Sequence, residues 1–325
     1  MREGGAAPRQ LGVLFLLGGI WGASFLFIKV IVEETSPLEL VAGRLAFGAL
    51  AVGAYMTVRR IPLRADAGIV GKVSIMAVFS NILPFALIGV GEEHIDSGVA
   101  SVLNSTMPIF TAVLAAAVLP EERFTPARLA GLVLAFAGVA VLTGDDFLDI
   151  TGSNMLGQLA VIGAALCYSF GAVYARTLLR AQDPVNLSML QLIVGTALSV
   201  PLVFVFRGTP DYSLSLEAAL SLLALGVFGT GLGYIMYLWL IENTGSVRAS
   251  LVTYVIPVVG LLLGWLVLDE EIGANILLGA LLIIVGVAAV MRGQAPVIER
   301  DGARDRPVTQ RLETVNPDVT RRRRH

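Results

Sequence analysis

The chain has 325 residues, of which 56% are hydrophobic and 15% charged, and its mean hydropathy is +0.79. Soluble domains are roughly 45–50% apolar and about 25% charged, so this composition excludes a soluble globular protein and indicates a membrane protein. The net charge of −2 is unevenly distributed: the segment from Arg292 to His325 carries nine arginines and five acidic residues, and the rest carries 14 basic and 20 acidic residues. The single cysteine, Cys167, excludes an intrachain disulfide and a multi-cysteine metal site.

Ten apolar windows follow one another along the chain, each close to the roughly 20 residues that an α-helix needs to cross a bilayer. Because the connections are short and rich in charged and helix-breaking residues, no soluble domain is inserted between them. We predict an all-α integral membrane protein with ten transmembrane helices. The windows are Gln10–Ile28, Pro37–Val58 (across Arg44), Val73–Gly91, Ser97–Pro120, Leu129–Gly144, Ile150–Ala175, Pro184–Phe206, Ala218–Ile241, Ala249–Leu268 and Ile272–Met291.

The distribution of basic residues predicts the orientation, since Lys and Arg are retained on the cytoplasmic side of short loops. With the N-terminus in the cytoplasm, 20 of the 23 basic residues fall inside. Only Lys29, Arg44 and Arg207 fall outside or in the outer half of a span. An even number of spans returns the C-terminus to the cytoplasm. We therefore predict a multi-pass protein of the cell (inner) membrane with both termini cytoplasmic.

The two halves of the chain resemble each other. At an offset of 147 residues Trp21 corresponds to Tyr168, and at an offset of 149 the Ser-x2-Ala-Ser-x6-Pro pattern of 97–108 recurs at 246–257, with two glutamates thirteen residues later in both copies. Five spans per half is an odd number, so the second half must cross the membrane in the opposite direction. This predicts an inverted repeat, typical of secondary transporters, with a substrate site near the midplane. The predicted domains are a cytoplasmic N-terminus (1–10), two five-helix repeats (11–144 and 150–291) and a disordered basic cytoplasmic tail (292–325).

Five short motifs occur in the first half, in the order Trp21-Gly22-x6-Lys29, Ser36-Pro37-x6-Arg44, Asn104-x3-Pro108, Glu122-Arg123-Phe124-Thr125-x5-Gly131 and Ala137-Gly138-Val139. This ordered set resembles the EamA-type half-repeat of the drug/metabolite transporter (DMT) superfamily, and the resemblance covers both halves, about residues 11–291. The second copy departs from the pattern where Gln191 matches Arg44. The resemblance implies a ten-helix carrier of small metabolites, frequently an exporter of amino acids or amphipathic compounds.

Polar and aromatic side chains within the spans are the candidate site residues, since a hydroxyl, amide or indole in a membrane must find an interhelical partner or a substrate. We predict an aromatic, polar and mostly uncharged cavity with Arg44 near its outer mouth. Interhelical contacts alone could satisfy each side chain, and Arg44 could instead tie its helix to backbone carbonyls or to Glu33 or Glu39. The predicted substrate-binding residues are Trp21, Ser24, Arg44, Asn81, Asn104, Tyr168, Tyr234 and Thr253.

Three prolines within spans, Pro84, Pro108 and Pro257, remove helical hydrogen bonds and are predicted to act as hinges or gates. The run Gly229–Gly233 lacks GxGxxG spacing and follows an apolar helical segment, so it predicts close helix contact rather than a phosphate loop. Lys29 is expected to snorkel towards the membrane surface.

The motifs of several protein classes are missing from the sequence. It has two histidines and lacks H-E-x-x-H, G-x-S-x-G and Walker A patterns, so we predict a transporter and not an enzyme, with no cofactor and no metal site. The expected partners are a small-molecule substrate and the lipid bilayer. Nucleic-acid binding is disfavoured because the basic run at 321–324 has no aromatic interleaving. The oligomeric state stays open and is compatible with a monomer; a channel-like or structural membrane protein without active transport is the alternative.

The ionisable residues considered for proton coupling, Glu39, Glu217, Glu242 and His94, lie at or near span ends, where water can hold them at their ordinary ionisation. Proton-coupled carriers usually keep an ionisable group within the membrane. We therefore expect a neutral or zwitterionic solute to move down its own gradient or by exchange, without obligatory proton coupling. An acidic partner for Arg44 brought inward by packing would contradict this expectation.

Overall fold

The computed structural model describes residues 8–118, 125–143, 152–178, 183–209, 213–244, 249 and 251–292. Most of the predicted cytoplasmic N-terminus and all but the first residue of the basic tail lie outside the described residues, as does the pair Glu121–Glu122. The described chain is helical apart from short connections. Its helices are α1 (Pro8–Val32), α2 (Pro37–Val58), α3 (Ala67–Ala77), π1 (Val78–Ile82), α4 (Leu83–Glu92), α5 (Ser97–Asn104), α6 (Met107–Val118), α7 (Pro126–Thr143), α8 (Ser153–Leu178), α9 (Pro184–Arg207), α10 (Leu216–Ala224), π2 (Leu225–Leu232), α11 (Gly233–Thr244), α12 (Val252–Val267) and α13 (Ala274–Arg292).

The apolar windows of the sequence coincide with helices. Within the described residues, seven helices are long and apolar enough to cross a membrane. Three further apolar helices are shorter: Leu129–Leu142, Val252–Val267 and Ala274–Ala289. Many large apolar side chains on these helices are exposed; Leu50, for example, is 68% exposed and Val205 75%. An apolar surface of this extent is expected where helices face lipid. The seven are Pro8–Val32, Pro37–Val58, Gly68–Glu92, Ser97–Val118, Ser153–Ala175, Val185–Arg207 and Leu216–Tyr237.

Acidic and basic side chains lie at opposite ends of the helix bundle. The first end, which we call the acidic end, comprises residues 33–36, 92–96, 213–217 and 268–271, which Glu34 and Glu270 connect by hydrogen bonds. The second, the basic end, comprises residues 8–10, 59–66, 183–186 and 243. Here Gln10 bonds to Asn243, and the Arg64 backbone N–H bonds to Asn186. Helix α1 joins the two ends, because its 25 residues extend over about 37 Å.

Small residues allow helices from the two halves to pack closely. A methyl group added at Gly22 in α1 would lie 2.6 Å from Val259 Cβ in α12, and one at Gly138 in α7 would lie 2.9 Å from the Gly279 carbonyl oxygen in α13. Contacts this short leave no room for a larger side chain, as is common where membrane helices cross. The sequence halves are therefore interleaved at their interface.

The helices are interrupted at positions that the internal repeat relates. At the offset of 149, π1 corresponds to 227–231, which lies within π2. Pro84 follows π1 directly and removes a backbone donor, whereas π2 contains three glycines. π-Helical turns of this kind are frequent at functional sites. Both halves therefore widen the same helix at the same place.

The predicted hinge prolines have different local structures. Pro108 lies in the first turn of α6, just after the break at 105–106, and Pro84 lies in the first turn of α4. Pro257, which the repeat relates to Pro108, lies inside the continuous helix α12. Equivalent sequence positions therefore do not give equivalent helix breaks here.

Candidate functional site

Arg44 is buried in the middle of the bundle, on α2. Its side chain is only 6% exposed, its Nε donates a hydrogen bond to Thr230 Oγ1 at 2.8 Å, and its Cζ lies 3.6 Å from the centroid of the Phe85 ring. A cation–π contact and a charge-assisted hydrogen bond stabilise a guanidinium that water does not solvate. Among the described residues, the hydrogen bond that Nε donates to Thr230 is the only one found for Arg44, and the two Nη groups have the chemistry to donate to an anion.

Glu39 provides a helix cap. It accepts hydrogen bonds from Thr35 Oγ1 at 2.7 Å and from the Ser36 backbone and hydroxyl, and Ser36 caps the Glu39 backbone in return. This reciprocal capping box stabilises the first turn of α2. The alternative interpretation of Arg44, a tie to backbone carbonyls or to Glu33 or Glu39, is not what the described contacts of Arg44 show.

A second polar contact joins π1 to α9. The Gln191 side-chain amide donates to Asn81 Oδ1, and both residues are buried. The Tyr234 hydroxyl lies near the same Asn81 amide. Within the described part of the chain, Asn81 Nδ2 has no partner at hydrogen-bonding distance. A buried donor without a partner is costly, so this amide is available to a bound molecule.

The two polar contacts are related by the internal repeat. The offset of 147 maps Arg44 onto Gln191, and the offset of 149 maps Asn81 onto Thr230. In each contact a side chain on the second long helix of one half binds a side chain on the π-helix of the other half. A methyl group at Gly48 would lie 2.9 Å from Thr230 Cγ2, so this glycine lets π2 approach α2.

Aromatic rings enclose Arg44. The rings of Phe85 and Tyr168 meet edge to face with centroids 6.3 Å apart, and the phenols of Tyr168 and Tyr234 lie close enough to interact electrostatically with the guanidinium. The structure thus brings together four of the predicted site residues with three others. We call this group the central cluster; it consists of Arg44, Asn81, Phe85, Tyr168, Gln191, Thr230 and Tyr234.

Trp21 and Ser24 border the central cluster, and protein groups satisfy their polar atoms. Trp21 Nε1 donates to the Gly229 carbonyl at 2.9 Å, and its ring lies 5.3 Å from that of Tyr237. The Ser24 hydroxyl donates to the Ile20 carbonyl of its own helix at 3.0 Å. Trp21 therefore anchors the π2 backbone beside Thr230, a contact between helices that the sequence had left as one of two interpretations.

Asn104 and Thr253 lie on α5 and α12, two helices that contact each other and carry none of the central cluster. Asn104 Oδ1 is buried, and no described residue lies within hydrogen-bonding distance of it. Both helices contact α1, which carries Trp21 and Ser24, but no described side-chain contact joins Asn104 or Thr253 to the central cluster.

The acidic end is closed by hydrogen bonds between the halves. Glu270 accepts from the Ser97 and Gly98 backbone N–H groups at 2.7 and 2.9 Å, and Glu34 accepts from the Ser215 backbone and hydroxyl. The Ser215 hydroxyl, followed by its backbone N–H, lowers the pKa of the Glu34 carboxyl. Two cavities of about 880 and 350 Å³ open at this end.

Lys29, which was expected to snorkel towards the membrane surface, has its ammonium group bound at the acidic end. Its ammonium group donates to the backbone carbonyls of Glu92 at 2.6 Å and of Ile95 at 3.2 Å. These carbonyls belong to the C-terminal end of α4 and the connection after it, where a cation satisfies acceptors that the helix leaves open. Lys29 therefore holds α1 against α4 at the acidic end.

Sequence reasoning missed Phe85, Thr230 and Glu92. Thr230 was considered only within its glycine run, although the repeat offset from Asn81 points to it. Phe85 carries no polar group to mark it in an apolar helix. Glu92 was not among the ionisable residues considered, yet its side chain is 0% exposed.

Comparison with known proteins identifies the chain. Residues 10–144 and 155–292 each match the sequence model of the EamA-like transporter family. An "Uncharacterized transporter" of Archaeoglobus fulgidus is 32% identical over 86% of this chain and 98% of its own length. The "Uncharacterized transporter YoaV" of Bacillus subtilis is 30% identical over 82% and 91%.

A further relative and a solved structure are also similar to this chain. The "Probable amino-acid metabolite efflux pump" of Escherichia coli is 29% identical over 86% of this chain and 94% of its own length. One crystal structure superposes with a TM-score of 0.63 over 87% of this chain and 96% of the other, and at 20% identity the likeness concerns the fold alone. With the family model matched twice along its length, the chain belongs to the EamA-like transporters of the drug/metabolite transporter superfamily and is a multi-pass membrane transporter.

Proposed function

We propose that the protein exports small metabolites that carry a carboxylate, such as amino acids, by alternating access. The observation that carries this proposal is Arg44, a buried guanidinium whose Nη groups have no partner among the described residues. A guanidinium binds a carboxylate through two parallel hydrogen bonds, which suits a site with two open Nη groups. The name of the Escherichia coli relative supports the same class of substrate.

The rest of the central cluster suits the remainder of an amino acid. Asn81 Nδ2 offers a further hydrogen-bond donor, and the rings of Phe85, Tyr168 and Tyr234 offer an apolar wall for a side chain. Sites for small molecules commonly combine such walls with a few placed polar groups. Because the cluster takes residues from both halves, rocking of one half against the other would open it to each side in turn.

For the architecture we propose ten membrane crossings in two inverted five-helix repeats, 11–144 and 150–291. The parity of five spans per half and the equivalent π-helices support the inversion. We propose that residues 1–10 and the basic tail 292–325 lie in the cytoplasm at the inner membrane, which the separation of the acidic and basic ends supports. A single chain contains both repeats, so a monomer can form the complete site.

The topology can be tested by cysteine accessibility in a variant with Cys167 replaced by alanine. Cysteines introduced at the exposed positions Glu93 and Leu63 lie at the acidic and basic ends, respectively. We expect a membrane-impermeant maleimide added to intact cells to label position 93 and not position 63. Labelling of position 93 only after the cells are opened would contradict the proposed orientation.

The transport function can be tested by counterflow in reconstituted vesicles, with amino acids, nucleosides, polyamines and cationic drugs as separate probes. We expect unlabelled amino acid inside the vesicles to accelerate uptake of labelled amino acid from outside. Exchange of polyamines or cationic drugs without amino acids would contradict a carboxylate site. Uptake that internal solute does not accelerate would favour the channel-like alternative, and no uptake of any probe the structural one.

A further inference from the structure

Glu92 carries a fully buried carboxylate. It is the last residue of α4, its side chain is 0% exposed, and neither Oε1 nor Oε2 has a hydrogen-bond partner among the described residues. An ionised carboxylate deprived of both water and hydrogen bonds is costly, whereas a carboxyl group that carries a proton is much less so. The site therefore has the chemistry of a place where a proton binds and leaves.

Charged groups from several elements face Glu92. Two cations and one acid lie close enough to interact with Glu92 electrostatically: Lys29 from α1, Arg44 from α2 and Glu270 after α12. Because the cations favour the ionised carboxylate and the acid favours the neutral form, no single partner fixes the protonation state of Glu92. Asp96, before α5, interacts with Lys29 and Glu270 rather than with Glu92. Helix α8 makes apolar contacts beside this group, with Val161 and Gly157 against Gly91.

A cavity of about 350 Å³ at the acidic end connects this region to water. Lys29, Asp96 and Glu270 line it, and the Lys29 ammonium group also contacts the Glu92 backbone carbonyl. Partial desolvation and the nearby Glu270 carboxylate raise the pKa of Asp96, although that side chain keeps contact with solvent. The cavity therefore gives water access to Lys29, whose ammonium group contacts the backbone of Glu92.

Glu92 lies on the same face of α4 as Phe85. Phe85 and Glu92 are seven residues apart, which places them on one face of the helix about 10 Å apart along its axis. Arg44 stacks on Phe85. An amino acid whose carboxylate binds Arg44 can therefore direct its ammonium group along α4 towards Glu92.

We propose that Glu92 is the proton-binding site of the carrier and that a proton and the ammonium group of the substrate compete for it. When the ammonium group binds, the Glu92 carboxyl releases its proton to water; when the substrate leaves, a proton returns. One proton then moves inwards for each amino acid that moves outwards. This inference rests on the proposed export of amino acids. It replaces the expectation of transport without proton coupling, which assumed that water hydrates the carboxylates at span ends. The buried Glu92 carboxylate does not meet that assumption.

The test uses the full-length protein in vesicles whose membrane potential is held at zero with potassium and valinomycin. The probe is a radiolabelled mixture of the proteinogenic L-amino acids. Counterflow is measured without a pH gradient, and accumulation is measured with one. For one-for-one exchange, each pH unit supports about tenfold accumulation. We expect the wild-type protein to accumulate label towards the acidic side, and a protonophore to abolish this.

The variant Glu92→Gln is expected to lose this accumulation, whereas the matched control Glu93→Gln, at an exposed position next to it, keeps it. Wild-type counterflow without pH-driven accumulation would overturn the inference and leave the proposed function intact. Undiminished accumulation by Glu92→Gln would also overturn it. Absence of wild-type counterflow would overturn the proposed function and the inference together.

A second measurement needs no transport and covers the case in which Glu92→Gln fails to fold. Infrared spectra of the membrane-embedded protein are recorded across a pH titration for the wild type and for Glu92→Asp. We expect a C=O band of a protonated carboxyl group that titrates in the wild type and changes frequency in the variant. A band that is identical in both proteins does not arise from Glu92 and would refute the assignment.

Discussion

Two contacts at equivalent positions of the repeat have diverged in charge. Arg44 binds Thr230 and Gln191 binds Asn81, and in both contacts a side chain on a long helix meets a π-helix of the other half. The first contact places a buried cation beside aromatic rings, and the second is an amide pair. The repeat therefore produces the geometry twice, and one change of residue type makes only one of the two copies able to hold an anion.

The difference assigns separate tasks to the two contacts. The amide pair contributes hydrogen bonds at low electrostatic cost, whereas the guanidinium is compensated by a ring, a hydroxyl and, in the proposed function, the substrate carboxylate. Under the proposed function, a single cation in the central cluster would also orient a zwitterionic substrate, since only its carboxylate is attracted to Arg44. The following four variants test this comparison.

Arg44→Gln makes the two contacts alike and has the largest expected effect. Loss of charge-assisted hydrogen bonds of about 1.5–3 kcal/mol should raise the KM for amino acids about 10- to 100-fold. The measurement is counterflow in reconstituted vesicles, with Arg207→Gln, at an exposed position of α9, as the control. If Arg44→Lys retained full activity and Arg44→Ala lowered only the folded yield, Arg44 would be structural.

Exchanging the two residues in Arg44→Gln/Gln191→Arg moves the cation to the equivalent position. Because the repeat places a π-helix opposite both positions 44 and 191, we expect the double variant to be about tenfold more active than Arg44→Gln. This gain corresponds to about 1.4 kcal/mol. Counterflow of the double variant is compared with that of each single variant. A double variant no better than Arg44→Gln would mean that the rings around Arg44, and not the charge alone, define the site.

Thr230→Val removes the hydroxyl that accepts from Arg44 Nε while keeping the shape of the side chain. The guanidinium stays charged but loses one hydrogen bond, so we expect about tenfold weaker transport, smaller than for Arg44→Gln. Thr230→Ser keeps the hydroxyl and serves as the control. Equal activity of the valine and serine variants would contradict a positioning role for Thr230.

Glu34→Gln alters a polar contact between the halves that is exposed and should have the smallest effect. The hydrogen bonds from Ser215 lower the pKa of the Glu34 carboxyl. They therefore stabilise the fold at pH values above the usual pKa of a glutamate, and this stabilisation is lost as the pH falls through the lowered pKa. We expect Tm of the purified protein to fall slightly at neutral pH and the difference from wild type to vanish in acid. Glu33→Gln, at the exposed neighbouring position, is the control; an equal fall there would contradict a specific contact.

Much of the site follows from residue chemistry, and the rest depends on the neighbours of each residue. Arg44, Asn81, Tyr168 and Tyr234 were predicted because polar and aromatic groups inside spans need partners. Phe85 could not be, since an apolar ring in an apolar helix is conspicuous only once a cation lies on it. Ser24 was predicted on the same grounds, yet its hydroxyl bonds to its own helix, an outcome open to any serine in a helix.

The sequence by itself determined the helical class, the apolar segments and the repeat. In a bilayer every backbone polar group must pair within its own segment, so a spanning segment is a helix, and its apolar composition identifies it in the sequence. Tertiary structure alone decided which side chains meet. Glu92 lies at a helix end, where the sequence predicts hydration, but in the fold its side chain is fully buried and has no hydrogen-bond partner among the described residues. Burial depends on how distant helices pack, and no local pattern around Glu92 records the neighbours that cover it.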